Sequence, residues 1–147
     1  MGFETSLGAF NISGSGMSAE RLRMEVVANN IANAGVTRTP EGGPYRRRDV
    51  VFETALNATG DSHRAPSRMA PLAGVRAVET IDDRSELPRV YNPGHPDADI
   101  DGFVTMSNVS LPIEMVNLIT ATRAYEANTT SLNAIKQEFT RALDVLR

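Results

Sequence analysis

The stretch "LPIEMVNLITATRAYEANTTSLNAIKQEFTRALDVLR" fills residues 111–147 and holds a single proline, at its second position. Steps of three and four residues pick out Leu118, Ala121, Tyr125, Asn128, Leu132, Ile135, Phe139, Ala142 and Leu146. Only Asn128 is polar, and a seam with this spacing predicts a long helix packed against another helix. One buried Asn in such a seam commonly fixes register. Ser110 stands where an N-cap belongs, and Pro112 falls in the first turn, where its missing N–H costs nothing.

The matching helix lies at the other end of the chain. Alternating steps of four and three give Phe3, Leu7, Phe10, Gly14, Met17, Arg21, Met24, Ala28 and Ile31, all apolar or small except Arg21. The arm closes in "NNIANAG" (29–35), where Asn33 or Gly35 can take the left-handed conformation that ends a helix. Its weak spot is "SGSG" (13–16). Glycine inside a helix costs roughly 1 kcal/mol relative to alanine. Small residues there admit a close neighbour or mark a bend. Each seam spans a helix of roughly 45 Å at 1.5 Å per residue. Equal lengths suggest that the arms pair, antiparallel if the intervening chain returns to its start.

More apolar residues lie off the seams than two helices can cover. They are Ile12, Leu22, Val26 and Val27 in the first arm, and Ile113, Met115, Val116, Ile119, Leu143 and Val145 in the last. That surplus predicts assembly with other chains.

Seven of the eight prolines lie between residues 40 and 96. The middle therefore reads as strands and loops. "YRRRDVVFETA" (45–55), "GVRAVETI" (74–81) and "DGFVTM" (101–106) have strand composition. Residues 57–73 are rich in small and turn-forming types and read as a loop. The expected fold is mainly α with a small β-rich middle: an N-terminal helical arm over 1–35, a β and loop segment over 36–108, and a C-terminal arm over 109–147 that pairs with the first.

Composition narrows the function. The 147 residues suit one domain. A net charge of −3 opposes general nucleic-acid binding. Aromatic residues make up only 5%, without tryptophan, so a large compact core is not expected. The absence of cysteine removes thiol chemistry and cysteine-ligated metals. No apolar run reaches the length of a membrane span. The N-terminus carries Glu4 and no basic residue before Arg21, so it does not read as a secretory signal.

The candidate chemical sites are weak. "DADIDGFVTMSN" (97–108) places Asp97, Asp99 and Asp101 before Gly102, as a calcium loop would. Its twelfth position is Asn108 where a bidentate Glu is needed, and "LPRVYNPGHP" (87–96) cannot form the entering helix. A turn closed by Gly102 explains the run better. His63 and His95 sit apart in proline-flanked loops. Arg46–Arg48 could meet phosphate or an acidic partner, but read more simply as a solvated strand face. No catalytic, metal-binding or cofactor-binding set emerges, so the chain reads as a non-enzyme. A small calcium- or anion-binding module using residues 92–102 is the competing class.

Four motifs, in order, resemble the flagellar basal-body rod protein family. "ANNIANAGVT" (28–37), with Asn29, Asn30 and Asn33, is similar to the N-terminal signature of rod and hook proteins. "GGPYRRR" (42–48), with Tyr45, resembles the segment that follows it in the family's proximal-rod branch. "VYNPGHPDADIDGFV" (90–104) resembles that branch through Tyr91, Pro93, Pro96, Asp99 and Gly102, although Phe103 stands where tyrosine is expected. "EMVNLITATRAYEAN" (114–128) is similar to the C-terminal signature, with Arg123, Tyr125 and Asn128. The resemblance implies paired terminal helices in an inner coiled coil, a β-rich outer part and helical polymerisation around an export channel. It implies a periplasmic rod subunit that leaves the cytoplasm through the flagellar type III export apparatus without a cleaved signal peptide. The implied partners are copies of the chain itself and other rod proteins. Those are FlgB and FlgF of the proximal rod, the FliE adaptor, and the neighbouring FlgG and MS ring. Membrane insertion, nucleic acid and cofactors have no part in it.

Overall fold

A computed structural model describes residues 2–56 and 72–145. Leu146 and residues 57–71, His63 among them, lie outside the described residues, as does the side chain of Leu7. Two long helices, α1 (Gly2–Ala32) and α2 (Leu111–Val145), enclose four strands in sequence: β1 (Arg48–Leu56), β2 (Leu72–Asp82), β3 (Arg89–Tyr91) and β4 (Phe103–Thr105). The fold is mainly helical with a small β middle, as the periodicity predicts. Residues 72–73, expected in the loop, already belong to β2. None of the described helices is long and apolar enough to cross a membrane.

The chain forms two compact units. One comprises Met1–Leu22, Phe52–Val78 and Ala121–Arg147; the other comprises Arg23–Val51 and Glu79–Thr120. In the first, "SGSG" does not interrupt α1. Ser15 Oγ donates to the Ile12 carbonyl (2.8 Å) and Ser18 Oγ to that of Gly14 (3.1 Å). The small side chains let two neighbours come close. A Cβ on Gly16 would sit 3.0–3.2 Å from the Asn128 amide. On the strand side, Val75 N–H donates to Ser15 Oγ (3.1 Å). Gly74, at φ +112°, approaches so closely that a side chain there would collide with Ser15.

In the second unit α1 ends at Ala32. Asn33 closes it, donating from its backbone (3.1 Å) and its Nδ2 (2.8 Å) to the Asn29 carbonyl. Gly35 is not among the described glycines of positive φ, so it is not the left-handed cap. Ser110 holds the N-cap position of α2, its carbonyl accepting from Glu114 N–H (3.0 Å). Strands β3 and β4 pair antiparallel, with Val90 opposite Val104. Periodicity did not reveal β3: it is three residues long, flanked by Pro88 and Pro93, and every residue is exposed.

Candidate functional site

The buried apolar side chains among the described residues are Ala19, Val27, Val50, Val104 and Ala121, all small. Four polar residues are buried as deeply: Ser13, Asn30, Ser107 and Glu114. A buried polar group must find hydrogen-bond partners or forfeit stability. Asn30 and Glu114, both at 0% exposure, do so by building one network, here called the clasp.

The Asn30 amide is saturated. Its Nδ2 donates to Glu114 Oε2 (2.9 Å) and to the Arg48 carbonyl (2.8 Å). Its Oδ1 accepts from Arg48 N–H (2.9 Å) and Tyr45 Oη (3.0 Å). Glu114 Oε1 accepts from Arg47 Nε (2.9 Å) and Asn117 Nδ2 (3.1 Å). Arg47 also meets Asp49 (3.2 Å) and Asp83 (3.8 Å) through Nη1. Asn108 completes the frame, accepting from Arg47 N–H (2.8 Å) and donating to Ser85 Oγ (2.8 Å). Thus the last turn of α1, the first turn of α2, the start of β1 and the segments around 83 and 108 are tied together through Asn30, Glu114 and Arg47.

The electrostatics follow from this burial. Burial works to lower the Arg47 pKa, but the hydrogen bond and charge of Glu114 outweigh it and hold the guanidinium protonated more firmly than usual. Burial pushes the Tyr45 hydroxyl above its ordinary value; the Arg48 charge opposes this, while Asp82 and Glu114 reinforce it. Ser85, mainly through its backbone N–H, holds the Asp83 carboxyl below the usual carboxylate range. The chemistry on offer is mutual satisfaction, which locks geometry.

Arg47 corrects the solvated-face expectation, while Arg48, with its side chain 57% exposed, fits it. Arg47 turns inward to Glu114, with its side chain 19% exposed. Arg46 Nη1 donates to the carbonyls of Asp83 and Ser85 (both 3.2 Å). Arg48 pairs with Asp82 (3.2 Å) and lies over the Tyr45 ring.

The acidic run forms a surface turn at the β3–β4 connection. Asp99 Oδ1 accepts from the N–H groups of Asp101 (3.0 Å) and Phe103 (2.8 Å), and its Oδ2 accepts from Arg89. These bonds, led by that of Phe103, hold the Asp99 carboxyl below its ordinary value. Asp97 Oδ2 accepts from Thr37 Oγ1 (2.8 Å), and its Oδ1 lies 3.5 Å from Arg38. Gly102 takes φ +79°, and a Cβ there would come within 2.9 Å of the Tyr91 ring and 3.2 Å of Pro93. Only glycine fits that corner without strain. The turn gathers Tyr91, Pro93, Asp99 and Gly102, with Pro96 in its loop and Tyr91 edge-on to Phe103.

The remaining predicted residues lie along the helices. Asn29 donates to the Glu25 carbonyl of its own helix (3.0 Å). Arg123 is exposed. Of the seam residues, Ala121 is fully buried, while Phe10, Ala28 and Phe139 are exposed. Gly14, Met17, Met24, Ile31, Leu118, Tyr125, Asn128, Leu132 and Ile135 are half-buried. Met17 Sδ accepts from Thr129 Oγ1 (3.9 Å) across the pair. Glu114 was not singled out by sequence reasoning, while Arg47 was named only within the Arg46–Arg48 run and Asn108 only as the twelfth position of the acidic loop. The signal that could have found Glu114 is an acid flanked on both sides by large apolar residues in a first helical turn.

Two family models match. "Flagella basal body rod protein" covers residues 10–38, and "Flagellar basal body rod FlgEFG protein C-terminal" covers residues 100–145. The flagellar basal-body rod protein FlgC of Borreliella burgdorferi is 39% identical, over 95% of this chain and 96% of its own length. That of Bacillus subtilis is 37% identical over 96% of this chain and 98% of its own. That of Salmonella typhimurium is 37% identical over 93% and 95%. With its helical arms, its asparagine-rich α1 terminus and this near full-length likeness, the chain belongs to the flagellar basal-body rod protein FlgC family.

Proposed function

We propose that this chain is a structural subunit of the proximal flagellar rod, polymerising helically around the export channel as part of the motor's drive shaft. One observation carries the reading beyond the family likeness. The first turns of α2 bury the acid Glu114 completely and expose Ile113, Met115, Val116 and Ile119, each by more than half. A surface that hides its charge and displays its aliphatic residues is built for burial by neighbours. The seam residues left half-buried in the single chain would be covered in the same assembly.

The neighbours that fit this reading are further copies of the chain and other rod proteins. FlgB and FlgF of the proximal rod, the FliE adaptor, FlgG and the MS ring are the components that the family resemblance implies. The subunit would act in the periplasm, after passage through the type III export apparatus without cleavage. No reaction is assigned to it.

The test is genetic and biochemical. Cells lacking their own FlgC are supplied with this chain, and their basal bodies are isolated. The chain should co-purify with the rod and restore swimming. A Val116→Asp, Ile119→Asp double variant should be made at normal levels yet be missing from the rod. Normal incorporation of that variant would show that this face is not the assembly surface.

A further inference from the structure

The clasp fixes how the first turns of α2 are displayed. Glu114 is drawn inward to Asn30 and Arg47 and has no exposure to water. At about 100° per residue, an arc centred opposite Glu114 then carries Met115, Ile119, Val116 and Ile113, one after another over about 160°. Each of the four is more than half exposed. Three of them end in hydrocarbon and are chemically inert. Met115 brings the only sulfur to this arc.

The other described methionines are placed differently. Met17, Met24 and Met106 are half-buried, and Met17 Sδ already accepts from Thr129 Oγ1 (3.9 Å). Among the described residues Met115 is the only exposed methionine. Oxidation of a thioether needs the oxidant to reach the sulfur, and it turns a flexible apolar side chain into a polar one.

We propose that Met115 is a reversible oxidation site that switches this face of α2 between apolar and polar, and with it the chain's competence to assemble. The co-reactant is hydrogen peroxide. The Met115 Sδ lone pair attacks one peroxide oxygen, the O–O bond breaks, an S–O bond forms and the second oxygen leaves as water. Sulfur loses two electrons and the peroxide gains them. A thiol-dependent sulfoxide reductase reverses the change: the sulfoxide oxygen leaves as water while two thiols become a disulfide. The sulfoxide oxygen is a hydrogen-bond acceptor, and an aliphatic neighbour offers it no donor, so burying it there is unfavourable. The fold is spared, because the bonds of Glu114 hold this turn and oxidation of Met115 leaves them alone. The inference rests on the reading of this face as the assembly surface.

The test begins with the purified full chain in hydrogen peroxide, each methionine being followed by peptide mass spectrometry. Met115 should oxidise at least about threefold faster than Met17, Met24 and Met106, and a sulfoxide reductase should restore it. The denaturant midpoints of the oxidised parent and of oxidised Met115→Leu should coincide. In cells lacking their own FlgC, Met115→Leu should enter the rod as the parent does. Met115→Gln sets a polar amide where the sulfoxide would stand. At equal cellular levels its content in isolated basal bodies should fall at least about tenfold. The proposal is overturned if Met115 is not the fastest of the four, or if the reductase cannot restore it. It is equally overturned if the oxidised parent has a lower midpoint than oxidised Met115→Leu, because lost fold would then explain lost assembly. Incorporation of Met115→Gln at the level of Met115→Leu also overturns it. The Val116→Asp, Ile119→Asp double variant tells the two readings apart. If that variant incorporates normally, the assembly face falls and this inference with it. If it is excluded while Met115→Gln enters the rod, this inference alone falls.

Discussion

Glu114 and Asp99 each accept three hydrogen bonds, one of them from an arginine, yet the first is fully buried and the second is 39% exposed. The bonds look alike on paper and differ in worth. In the clasp, water cannot replace a lost partner, so each deletion strands another group. In the β3–β4 turn, water can take over from Arg89, and only the local backbone geometry is at stake. Depth, and not the number of bonds, decides which cluster holds the fold together.

The largest expected effect comes from Glu114→Ala. It removes the carboxylate bonded to the Asn30 amide and leaves Arg47 Nε facing a gap, although Asp49 and Asp83 still hold the other end of Arg47. Removing one partner of a buried pair costs about 3–5 kcal/mol, and the retained contacts place this case near the lower figure. Glu114→Gln should lose about 1–3 kcal/mol, because one of its orientations sets two NH₂ groups against each other and the other sets NH₂ against Arg47. Denaturant midpoints of the full chain measure both. A loss under about 1 kcal/mol for Glu114→Ala would erase the distinction between buried and exposed clusters.

Next is Gly102→Ala in the turn. It forces a side chain to φ +79° and brings a Cβ within 2.9 Å of the Tyr91 ring. The conformational part costs about 1–2 kcal/mol; Tyr91 is exposed and can swing aside, so the contact adds little. The turn's strongest constraint is therefore a backbone angle and not a charge. An alanine variant as stable as the parent would show that the corner relaxes to an ordinary conformation.

The pH profile separates the two regions at opposite ends. The folded Asp99 carboxyl lies below its ordinary 3.8 because of the Phe103 and Asp101 amides and Arg89. Its contribution is present above the unfolded value and is lost as pH falls through the folded one. The folded Tyr45 hydroxyl lies above its ordinary 10.0, with burial as the main cause. Its contribution is present below the unfolded value and is lost as pH rises through the folded one. Asp99→Asn should therefore flatten the loss of stability below about pH 4, and Tyr45→Phe the loss above about pH 10, in midpoints taken across the range. Each substitution leaving its own limb unchanged would detach that limb from the region assigned to it.

The arms were legible because helical spacing repeats over more than four heptads at both ends, and repetition survives local exceptions such as Arg21 and "SGSG". The turn was legible because Asp and Gly carry their conformational preferences locally. The clasp was only half legible. Asn30 and Tyr45 stood out by resemblance, but Glu114 looks like any acid favouring a helix N-terminus, and Arg47 like one of three basic neighbours. Hydrophobic periodicity counts apolar residues, and the deepest contact between these helices is polar. Only the meeting of segments distant in sequence reveals it.

The smallest effect is expected from Arg89→Ala. Arg89 pairs with Asp99 and lies 5.1 Å from the Phe103 ring centroid, but its side chain is 56% exposed. An exposed pair is screened by salt and gains little over water. Asp99 itself does separate work, because its Oδ1 holds the N–H groups of Asp101 and Phe103 across the turn. The two partners of one ion pair should therefore behave unequally. Asp99→Ala should speed amide hydrogen exchange at Asp101 and Phe103, Asp99→Asn should do so less because an Oδ1 acceptor remains, and Arg89→Ala should leave both amides close to the parent in moderate salt. If Arg89→Ala opens those amides as far as Asp99→Ala does, the surface turn depends on its charge pair after all. Exposure would then not be what separates it from the clasp.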